Sequence, residues 1–324
     1  MAWGTRILAH INTAIVVLNW NGFADTRRCL ESLLRLDSDH FRVFVCDNAS
    51  TDDSVRRLEA WIAQRLPPAN AERTARNRRP ISVSLIETGG NYGYAGGNNA
   101  GLRRALAEGF DTFWLLNNDC EVEPEALRHL LERIEEDPSI GLCGSTLVYA
   151  HDPSRVQTRG GGSFARLKGR GVAIDAMGAA DVAVDRDGIE ARMRFVNGAS
   201  TLVTRTFLDA VGLLCEDYFL YWEELDWAAR SAGRFRLGYA PLSVVRHRVG
   251  ASIGTSDFGP GSALSAYYLA RNRLRFCWRY SRISLPFVYF DMARAILGRC
   301  RDHNWAWARV LSRATLGLPF EQPA

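Results

Sequence analysis

An oxygen-rich triplet, Asn117-Asn118-Asp119, follows a short apolar segment near the middle of this sequence. The preceding residues, Phe113 to Leu116, have the continuous apolar character of a strand that is buried on both faces. A carboxylate in this place lies at the carboxyl end of a core strand, where open α/β sheets bind their ligands. Asp119 could therefore hold a hard divalent cation and the phosphates of a ligand. The triplet could equally form a turn in which its side chains satisfy backbone groups.

A second group of carboxylates, Glu223, Glu224 and Asp226, follows the aromatic segment Tyr218 to Trp222 at the predicted start of a helix. Burial behind aromatic side chains raises the pKa of a carboxyl group toward values that suit a general base, whereas the positive end of a helix lowers it. The group could therefore be catalytic. It could also be an exposed helix start at which the dipole merely favours acidic residues.

Glycine dominates residues 87 to 101, where six of fifteen residues are Gly, and a helix is predicted from Leu102. Glycine lets a backbone approach a ligand closely, and the amides at a helix N-terminus bind phosphate or ribose. The alternative is a tight loop packed against the sheet.

His247 lies beyond a predicted strand, Leu237 to Val245, where a His can ligate a metal but is more often structural.

The elements that would position these residues alternate between strand and helix. Continuous apolar segments predict the strands, and helical spacing of apolar residues predicts the helices that follow them. This alternation favours an α/β fold with a doubly wound, mostly parallel, Rossmann-like sheet and right-handed crossovers. The predicted strands are 13–18, 41–46, 81–86, 113–116, 140–149, 195–204 and 237–245, and the predicted helices are 26–36, 54–66, 102–109, 125–136 and 205–211.

Two segments lack this periodicity. Residues 67–80 contain Pro, Asn and several Arg, which predicts an exposed loop. Residues 151–194 are irregular and rich in Gly, which predicts either a mobile loop or a small β excursion over the edge of the sheet.

The composition is that of an ordinary soluble protein, with 47% hydrophobic and 23% charged residues in a chain of 324. The seven Cys are scattered and form no CxxC pair, so neither a disulfide framework nor a zinc site is indicated. No apolar segment approaches the roughly 18 residues that a membrane span needs, and residues 1–12 have no signal-peptide core. We therefore expect a cytoplasmic protein.

The chain changes character beyond Pro260, where ten Arg face only three acidic residues and alternate with aromatic ones. Helices are predicted over 262–280 and 292–311, separated by an apolar segment, 283–290. We expect a catalytic domain over 1–255 and a helical tail over 256–324. Such a tail could lie on an anionic membrane surface, or pack on the catalytic domain or a partner subunit. The excess of Arg alone does not indicate nucleic-acid binding.

Four motifs, taken in order, resemble those of glycosyltransferase family 2, which has the GT-A fold, and in particular its bacterial rhamnosyltransferase-like members. The resemblance covers residues 13 to 254. The motifs are Asn19-Trp20-Asn21, the segment Asp47-Asn48-Ala49-Ser50-Thr51-Asp52, the glycine-rich segment from Asn91 to Gly101, and Asn117-Asn118-Asp119 in place of the family's Asp-x-Asp.

The resemblance implies a role for each candidate residue. Asp119 and His247 would bind a divalent cation, Mg²⁺ or Mn²⁺, with Glu121 as a helper, and the affinity would be weak because Asn117 replaces the family's first Asp. Glu224 would be the base, with Glu223 as a close rival and Asp226 as an accessory residue. Asp47 would contact the nucleotide base. The full set of expected donor-binding residues is Asn19, Asn21, Asp47, Asn48, Asn91, Gly93, Gly96, Asn98 and Asn118.

The resemblance also implies an activity. We expect an inverting glycosyltransferase that moves rhamnose or a similar sugar from a nucleoside-diphosphate sugar to a hydroxyl of a lipid-linked or polysaccharide acceptor in cell-envelope glycan synthesis. The enzyme would lie on the cytoplasmic face of the inner membrane or form a homo-oligomer, with no nucleic-acid partner. The alternative is a nucleotide-sugar-binding protein without catalysis. A nicotinamide-dependent oxidoreductase is disfavoured because the first strand leads into Asn-Trp-Asn-Gly and not into a GxGxxG turn.

Overall fold

The computed structural model describes residues 12–38, 40–66, 81–231, 233–249 and 261–322. The predicted loop over 67–80 and the predicted domain boundary at 255/256 lie outside the described residues. The strands are β1 (Thr13–Asn19), β2 (Phe41–Asp47), β3 (Ser82–Glu87), β4 (Thr112–Asn117), β5 (Cys120–Val122), β6 (Ile140–Tyr149), β7 (Val156–Arg159), β8 (Gly161–Ala165), β9 (Arg170–Ala173), β10 (Phe195–Val196), β11 (Ser200–Thr204) and β12 (Arg236–His247).

Ten α-helices accompany these strands within the described residues. They are α1 (Phe23–Leu33), α2 (Ser54–Arg65), α3 (Gly93–Ala107), α4 (Ala126–Glu136), α5 (Arg186–Arg192), α6 (Arg205–Val211), α7 (Glu223–Arg230), α8 (Ala263–Tyr280), α9 (Leu285–Arg301) and α10 (Trp305–Thr315).

A central sheet of nine strands has the order β3-β2-β1-β4-β11-β6-β12-β5, with β7 paired to β6. Its first four strands are parallel to one another, as predicted. The remainder is mixed, because β11 runs antiparallel to both β4 and β6, and β12 runs parallel to β6 but antiparallel to β5. The predicted α/β class with C-terminal helices is confirmed, and the parallel part of the sheet is its N-terminal half.

The central strands are apolar throughout because they are covered on both faces. In β1, Ile15 and Val17 contribute to the hydrophobic core on one face of the sheet, whereas Ala14 and Val16 contribute to the core on the other. Successive side chains of a strand point to opposite faces, so burial of both faces requires the continuous apolar run seen in the sequence.

The helix predicted from Leu102 begins nine residues earlier, at Gly93, so most of the glycine-rich segment is helical. Its glycines serve close packing of α3 on the sheet. A Cβ on Gly101 would lie 2.6 Å from Cγ1 of Val16, and one on Gly97 would collide with the side chain of Leu18. A small residue is therefore needed wherever α3 faces β1, which the sequence pattern alone presents as a loop.

Strand β12 contains a bulge that sets the direction of its carboxyl end. Ala240 is paired with Ser145 of β6, but the next paired residue is Val244, opposite Thr146. Residues 241–243 are therefore extra to the ladder, and the bulge re-aims the last four residues of the strand. His247 is the final residue of that re-aimed segment.

Residues 151–194, predicted as a mobile loop or a β excursion, form the β alternative. Strands β8, β9 and β10 make a separate three-stranded sheet, and β7 joins the edge of the main sheet. Helix α5 is tied to α4 by Arg133, whose guanidinium donates two hydrogen bonds of 2.8 Å to the buried carboxylate of Glu190.

The three C-terminal helices pack on one another and on the body of the protein. Their shared core includes Tyr267, Leu274, Val288, Met292 and Val310. Most of the apolar segment 283–290 is part of α9, which begins at Leu285, because proline is tolerated in the first turn of a helix and Pro286 lies there. None of the helices in the described part of the chain is both long and apolar enough to cross a bilayer.

Candidate active site

A cleft of about 310 Å³ opens where β1, β2 and β4 end. It receives side chains from the loop that precedes α3, from the end of β12 and from the start of α7. Its lining residues are Leu18, Trp20, Asn48, Asn91, Gly93, Tyr94, Asn117, Asn118, Asp119, Gln157, Asn197, Gly198, Ala199, Phe219, Leu220, Tyr221, Glu223, Glu224, His247, Val249 and Leu264. A volume of this order suits a small-molecule site.

Eight of the residues singled out in the sequence meet in this cleft, although they come from distant parts of the chain. They are Asn48, Asn91, Gly93, Asn118, Asp119, Glu223, Glu224 and His247. The other seven do not line it, namely Asn19, Asn21, Asp47, Gly96, Asn98, Glu121 and Asp226.

Asp47 is 1% exposed, and its carboxylate is occupied by neighbours within the protein. It accepts hydrogen bonds of 2.7 Å from the amide of Asn19 and of 2.8 Å and 2.7 Å from the backbone and hydroxyl of Ser50. Asn98, also buried, donates to the carbonyl of Tyr94, so these residues stabilise the wall behind the cleft. Contact between Asp47 and a nucleotide base stays a prediction.

A chain of side-chain hydrogen bonds runs from Asp47 to the strand end at Asn118. The Asp47 carboxylate can only accept, so the Asn19 amide group donates to it and the Asn19 carbonyl accepts from Thr26 at 2.6 Å. The Thr26 hydroxyl then accepts from the Asn118 amide nitrogen at 3.0 Å. The charge on Asp47 thereby fixes the orientation of the Asn118 amide, three side chains away.

Asp119 and His247 form the part of the cleft that could hold a metal. Nε2 of His247 lies 3.2 Å from Oδ1 of Asp119. Two ligands in adjacent positions on an octahedral cation, each at about 2.1 Å, are separated by about 3 Å. Among the described residues, Nε2 of His247 is a buried atom for which the structure provides no hydrogen bond of acceptable geometry. Both observations fit a shared cation.

Gln157 of β7 orients His247. Its side-chain oxygen lies 2.7 Å from Nδ1 of the imidazole. Because a carbonyl oxygen only accepts, Nδ1 carries the hydrogen and Nε2 presents its lone pair toward Asp119. Such a partner on the second ring nitrogen is usual for a metal-bound histidine.

Cys120 also lies within 4.8 Å of these ligand atoms but is a poor ligand. Its thiol contacts the carbonyl of Ala199 in the core, and burial, followed by the charge of Asp119, raises its pKa well above the usual value. Mg²⁺ and Mn²⁺ prefer oxygen and imidazole to a neutral thiol. Glu121 lies on β5 opposite Arg246 and outside the cleft, so its helper role stays a prediction.

The acidic pair Glu223-Glu224 is presented by an unusual aromatic turn. Phe219, Tyr221 and Trp222 have φ values of 63°, 65° and 75°, in the left-handed region. Each such residue costs on the order of 1 to 2 kcal/mol. The surrounding contacts must hold this backbone in place, and strain of this kind collects at functional sites.

Within the pair, Glu223 is 3% exposed and Glu224 is more open to the cleft. Burial raises the pKa of Glu223 well above its usual value, and the charge of Glu224 adds to this effect. Burial also raises the pKa of Glu224, but backbone hydrogen bonds from Glu224 itself, Gly198 and Trp222 oppose the rise. Backbone contacts with Glu223 itself and Tyr221 oppose the rise for Glu223 in the same way. Of the two carboxyl groups, that of Glu224 is the more accessible from the cleft, as a base must be.

Asp226 lies two residues further along α7 and therefore faces away from the cleft, about 200° around the helix. It is fully buried and contacts Arg230 at 2.7 Å, Arg279 at 3.2 Å and the hydroxyl of Tyr280 at 2.8 Å. These contacts join α7 to α8. An accessory catalytic role for Asp226 stays a prediction.

The model of the family named Glycosyl transferase family 2 matches residues 14–171 of the chain. This segment belongs to glycosyltransferase family 2. The low-salt glycan biosynthesis hexosyltransferase Agl10 of Haloferax volcanii is 25% identical over 154 residues, which are 46% of this chain and 46% of that protein. The alignment thus covers less than half of the length of this relative.

Solved structures are similar to this chain in fold. Mannosyltransferase PcManGT from Pyrobaculum calidifontis, in complex with GDP-Man and Mn²⁺, superposes with a TM-score of 0.57 at 14% identity, covering 95% of this chain and 88% of that chain. S. aureus TarS 1-349 in complex with UDP-GlcNAc superposes with a TM-score of 0.52 at 12% identity, covering 96% and 93%. The GT-A fold predicted from the family 2 resemblance is confirmed.

Three residues at or beside the cleft were not predicted from the sequence. Gln157 lies in the segment read as irregular. Tyr94, whose hydroxyl donates to the carbonyl of Gly198 at 2.6 Å, lies within the glycine-rich motif. Asn272 of α8 donates to the aromatic turn. Only Tyr94 had a signal in the sequence, as a bulky residue within the glycine-rich motif.

Proposed function

We propose that this chain is a divalent-cation-dependent, inverting glycosyltransferase that uses a nucleoside-diphosphate sugar. The observation that carries the proposal is a single cleft that is lined by Asp119, His247, Glu223 and Glu224. In this cleft, Oδ1 of Asp119 lies 3.2 Å from Nε2 of His247. The names of the relatives support it, since they include a hexosyltransferase and a mannosyltransferase with GDP-Man and Mn²⁺.

Asp119 and His247 are the residues that would hold the cation. A Mg²⁺ or Mn²⁺ ion bound there would neutralise the charge that develops on the leaving diphosphate. Oδ1 of Asp119 supplies a hard oxygen ligand, and Gln157 keeps Nε2 of His247 available. With Asn117 and Asn118 in place of further carboxylates, few negative charges face the ion, which favours weak binding.

Glu224 would act as the general base. Its carboxylate accepts the proton of an acceptor hydroxyl as that oxygen attacks the anomeric carbon from the face opposite the diphosphate. The new glycosidic bond forms as the bond to the diphosphate breaks, so a single displacement inverts the configuration. One base suffices for this route, and Glu223, whose pKa is raised by burial and by the charge of Glu224, is not required as a second base.

The donor is proposed to be a deoxythymidine-diphosphate sugar such as a rhamnosyl donor, following the resemblance of the strand-end motif. The test is a thermal-shift and donor-hydrolysis screen of dTDP-, UDP- and GDP-sugars with and without Mg²⁺ or Mn²⁺. Stabilisation by a dTDP-sugar that depends on the cation supports the rhamnosyl assignment. Stabilisation by a UDP- or GDP-sugar redirects it. Binding of a donor without hydrolysis or transfer to any hydroxyl acceptor would favour a non-catalytic binding protein.

The acceptor is proposed to be lipid-linked or a growing glycan, with the enzyme peripheral on an anionic membrane. One exposed face of α9 carries Phe287, Phe290, Arg294, Leu297 and Arg301 at spacings of three and four residues. Phe290 and Leu297 are 67% and 68% exposed. An apolar stripe with interleaved Arg suits the interface of an anionic bilayer.

Vesicle sedimentation tests this membrane proposal. Vesicles that contain phosphatidylglycerol should bind the protein, and phosphatidylcholine vesicles should bind it weakly. The double variant Phe287→Ser/Phe290→Ser should lose binding but keep its fold. If the wild type instead forms a dimer that the same variant dissociates, and binds no vesicles, the face is a homo-oligomer interface.

A further inference from the structure

We propose that Asn272, in helix α8 of the C-terminal part, is a positioning residue for the carboxyl groups of Glu223 and Glu224. The inference rests on the proposed function, because it gives these two carboxyl groups their catalytic role. It makes α8 part of the active site's support rather than an appendage.

Asn272 is fully buried, and the two hydrogens of its side-chain amide are shared among three backbone carbonyl groups of the aromatic turn. Nδ2 of Asn272 lies 2.7 Å from the backbone carbonyl oxygen of Tyr218, 2.8 Å from that of Leu220 and 3.1 Å from that of Tyr221. The remaining carbonyl of the turn, that of Phe219, accepts from the amide of Tyr94 at 2.6 Å. The four consecutive carbonyl groups of residues 218–221 thus have hydrogen-bond donors outside the turn. Asn272 is the donor to three of these groups.

The same peptide groups also face the two carboxyl groups. The backbone of Tyr221 lowers the pKa of Glu223 and the backbone of Trp222 lowers the pKa of Glu224, so the N–H groups of these two residues lie beside the carboxyl groups. The Leu220 carbonyl belongs to the same peptide plane as the Tyr221 amide, and the Tyr221 carbonyl to the same plane as the Trp222 amide. Asn272 therefore holds the oxygen side of two planes whose N–H sides point at Glu223 and Glu224.

The left-handed backbone of the turn makes this support necessary. Of the three residues with left-handed φ values, it is Tyr221 whose carbonyl group Asn272 holds. Loss of that donor and of the contact with the preceding carbonyl group would let the two peptide planes that flank Tyr221 relax toward commoner φ values. Rotation of either peptide plane would remove an N–H from a glutamate. Gly93 allows the opposite side to close in, because a Cβ there would collide with the carbonyl of Phe219.

Asparagine suits this role better than Asp or Leu, the side chains of similar size. An Asp would place negative charge against three carbonyl oxygens, and a Leu of similar shape has no donor. Helix α8 is itself fixed nearby, since Arg279 and Tyr280 contact the buried Asp226 of α7. The donor therefore reaches the turn from a rigid element.

The test compares Asn272→Leu and Asn272→Ser with the wild type. Both variants should lower kcat, by about 100-fold for Asn272→Leu, since small displacements of catalytic groups have effects of this size. Asn272→Ser, which keeps one donor, should lose less. The KM for the donor should stay within about threefold. The acid limb of the pH profile should move to higher pH, because each lost N–H bond removes a contact that lowers a glutamate pKa.

Tyr267→Phe is the matched control. It removes a single hydrogen bond of the same helix, from the Tyr267 hydroxyl to the carbonyl of Leu318 at 2.6 Å, far along the chain from the turn. Its kcat and pH profile should equal those of the wild type. If Asn272→Leu does not fold, Asn272→Ser gives the answer. A folded Asn272 variant with wild-type kcat and an unmoved acid limb overturns the inference, whereas a wild-type protein with no transferase activity overturns the proposed function instead.

Discussion

Replacing Glu224 with Gln should remove the base and leave donor binding intact. The backbones of Gly198, Trp222 and Glu224 itself lie beside the Glu224 carboxyl group and lower its pKa. A glutamine keeps one carbonyl oxygen for these donors, and loss of the buried charge offsets the hydrogen bonds that it gives up, so the melting temperature should change little. Loss of general-base catalysis typically lowers the rate by about 10² to 10⁴, or about 3 to 5.5 kcal/mol in the barrier.

The assay is single-turnover release of the nucleoside diphosphate with donor, acceptor and Mn²⁺ present, alongside donor-dependent thermal stabilisation. Glu223→Gln is the matched comparison, one residue away on the same turn, and should lower the rate by about tenfold or less. Glu224→Gln with a rate within about threefold of the wild type would refute the assignment of the base. A larger loss in Glu223→Gln than in Glu224→Gln would exchange the two roles.

Three further predictions concern stability and metal binding. Glu223→Gln should raise the melting temperature near pH 7 but not near pH 4. Burial raises the pKa of Glu223 in the folded state, so the stability that this group contributes is complete below its unfolded pKa and declines as pH rises toward the folded value; equal melting temperatures at both pH values would contradict this. Gln157→Leu should weaken Mn²⁺ binding, measured by electron paramagnetic resonance, by about 10- to 100-fold. Gln157→Glu should restore the binding, because its carboxylate can only accept from Nδ1 of His247. Loss of binding in both variants would mean that the Gln157 amide donates to His247. Gly101→Ala should destabilise the fold by about 1 to 3 kcal/mol in urea unfolding, because its Cβ would lie 2.6 Å from Val16, whereas Gly109→Ala, with no atom within 4 Å of its Cβ, tests the cost of a positive φ alone.

The sequence was most informative where a strand is buried on both faces. The continuous apolar segments predicted β1, β2, β4 and β6, and the polar residues after them predicted the edge of the sheet at which the cleft opens. Asp119 and His247, 128 residues apart by their numbers, met as expected because both follow strands of the same sheet. Eight of the residues chosen from the ordered motifs therefore line the same cleft.

The sequence was least informative where side chains from separate elements meet. Glycines that pack α3 against β1 look like loop residues when only local propensity is considered. Gln157 and Asn272 act through contacts with residues 90 and about 50 positions away, and neither carries a local pattern. Asp226 shares its neighbours' acidic character, but helix geometry turns it toward Arg279 and away from Glu224.

The bulge in β12 has a consequence for how the length of this chain can vary. Three residues, 241–243, separate Ala240 from Val244 and lie outside the ladder with β6. The face on which His247 lies is set by its pairing with Tyr149, so a deletion that the bulge absorbs leaves the imidazole in the cleft. A deletion that instead makes the last four residues of β12 slip by one position along β6 would exchange their two faces and bring Arg248 to the place of His247. A guanidinium would then stand beside Asp119 as a permanent counter-ion. The bulge is accordingly the place in β12 where the chain can change length without moving the histidine.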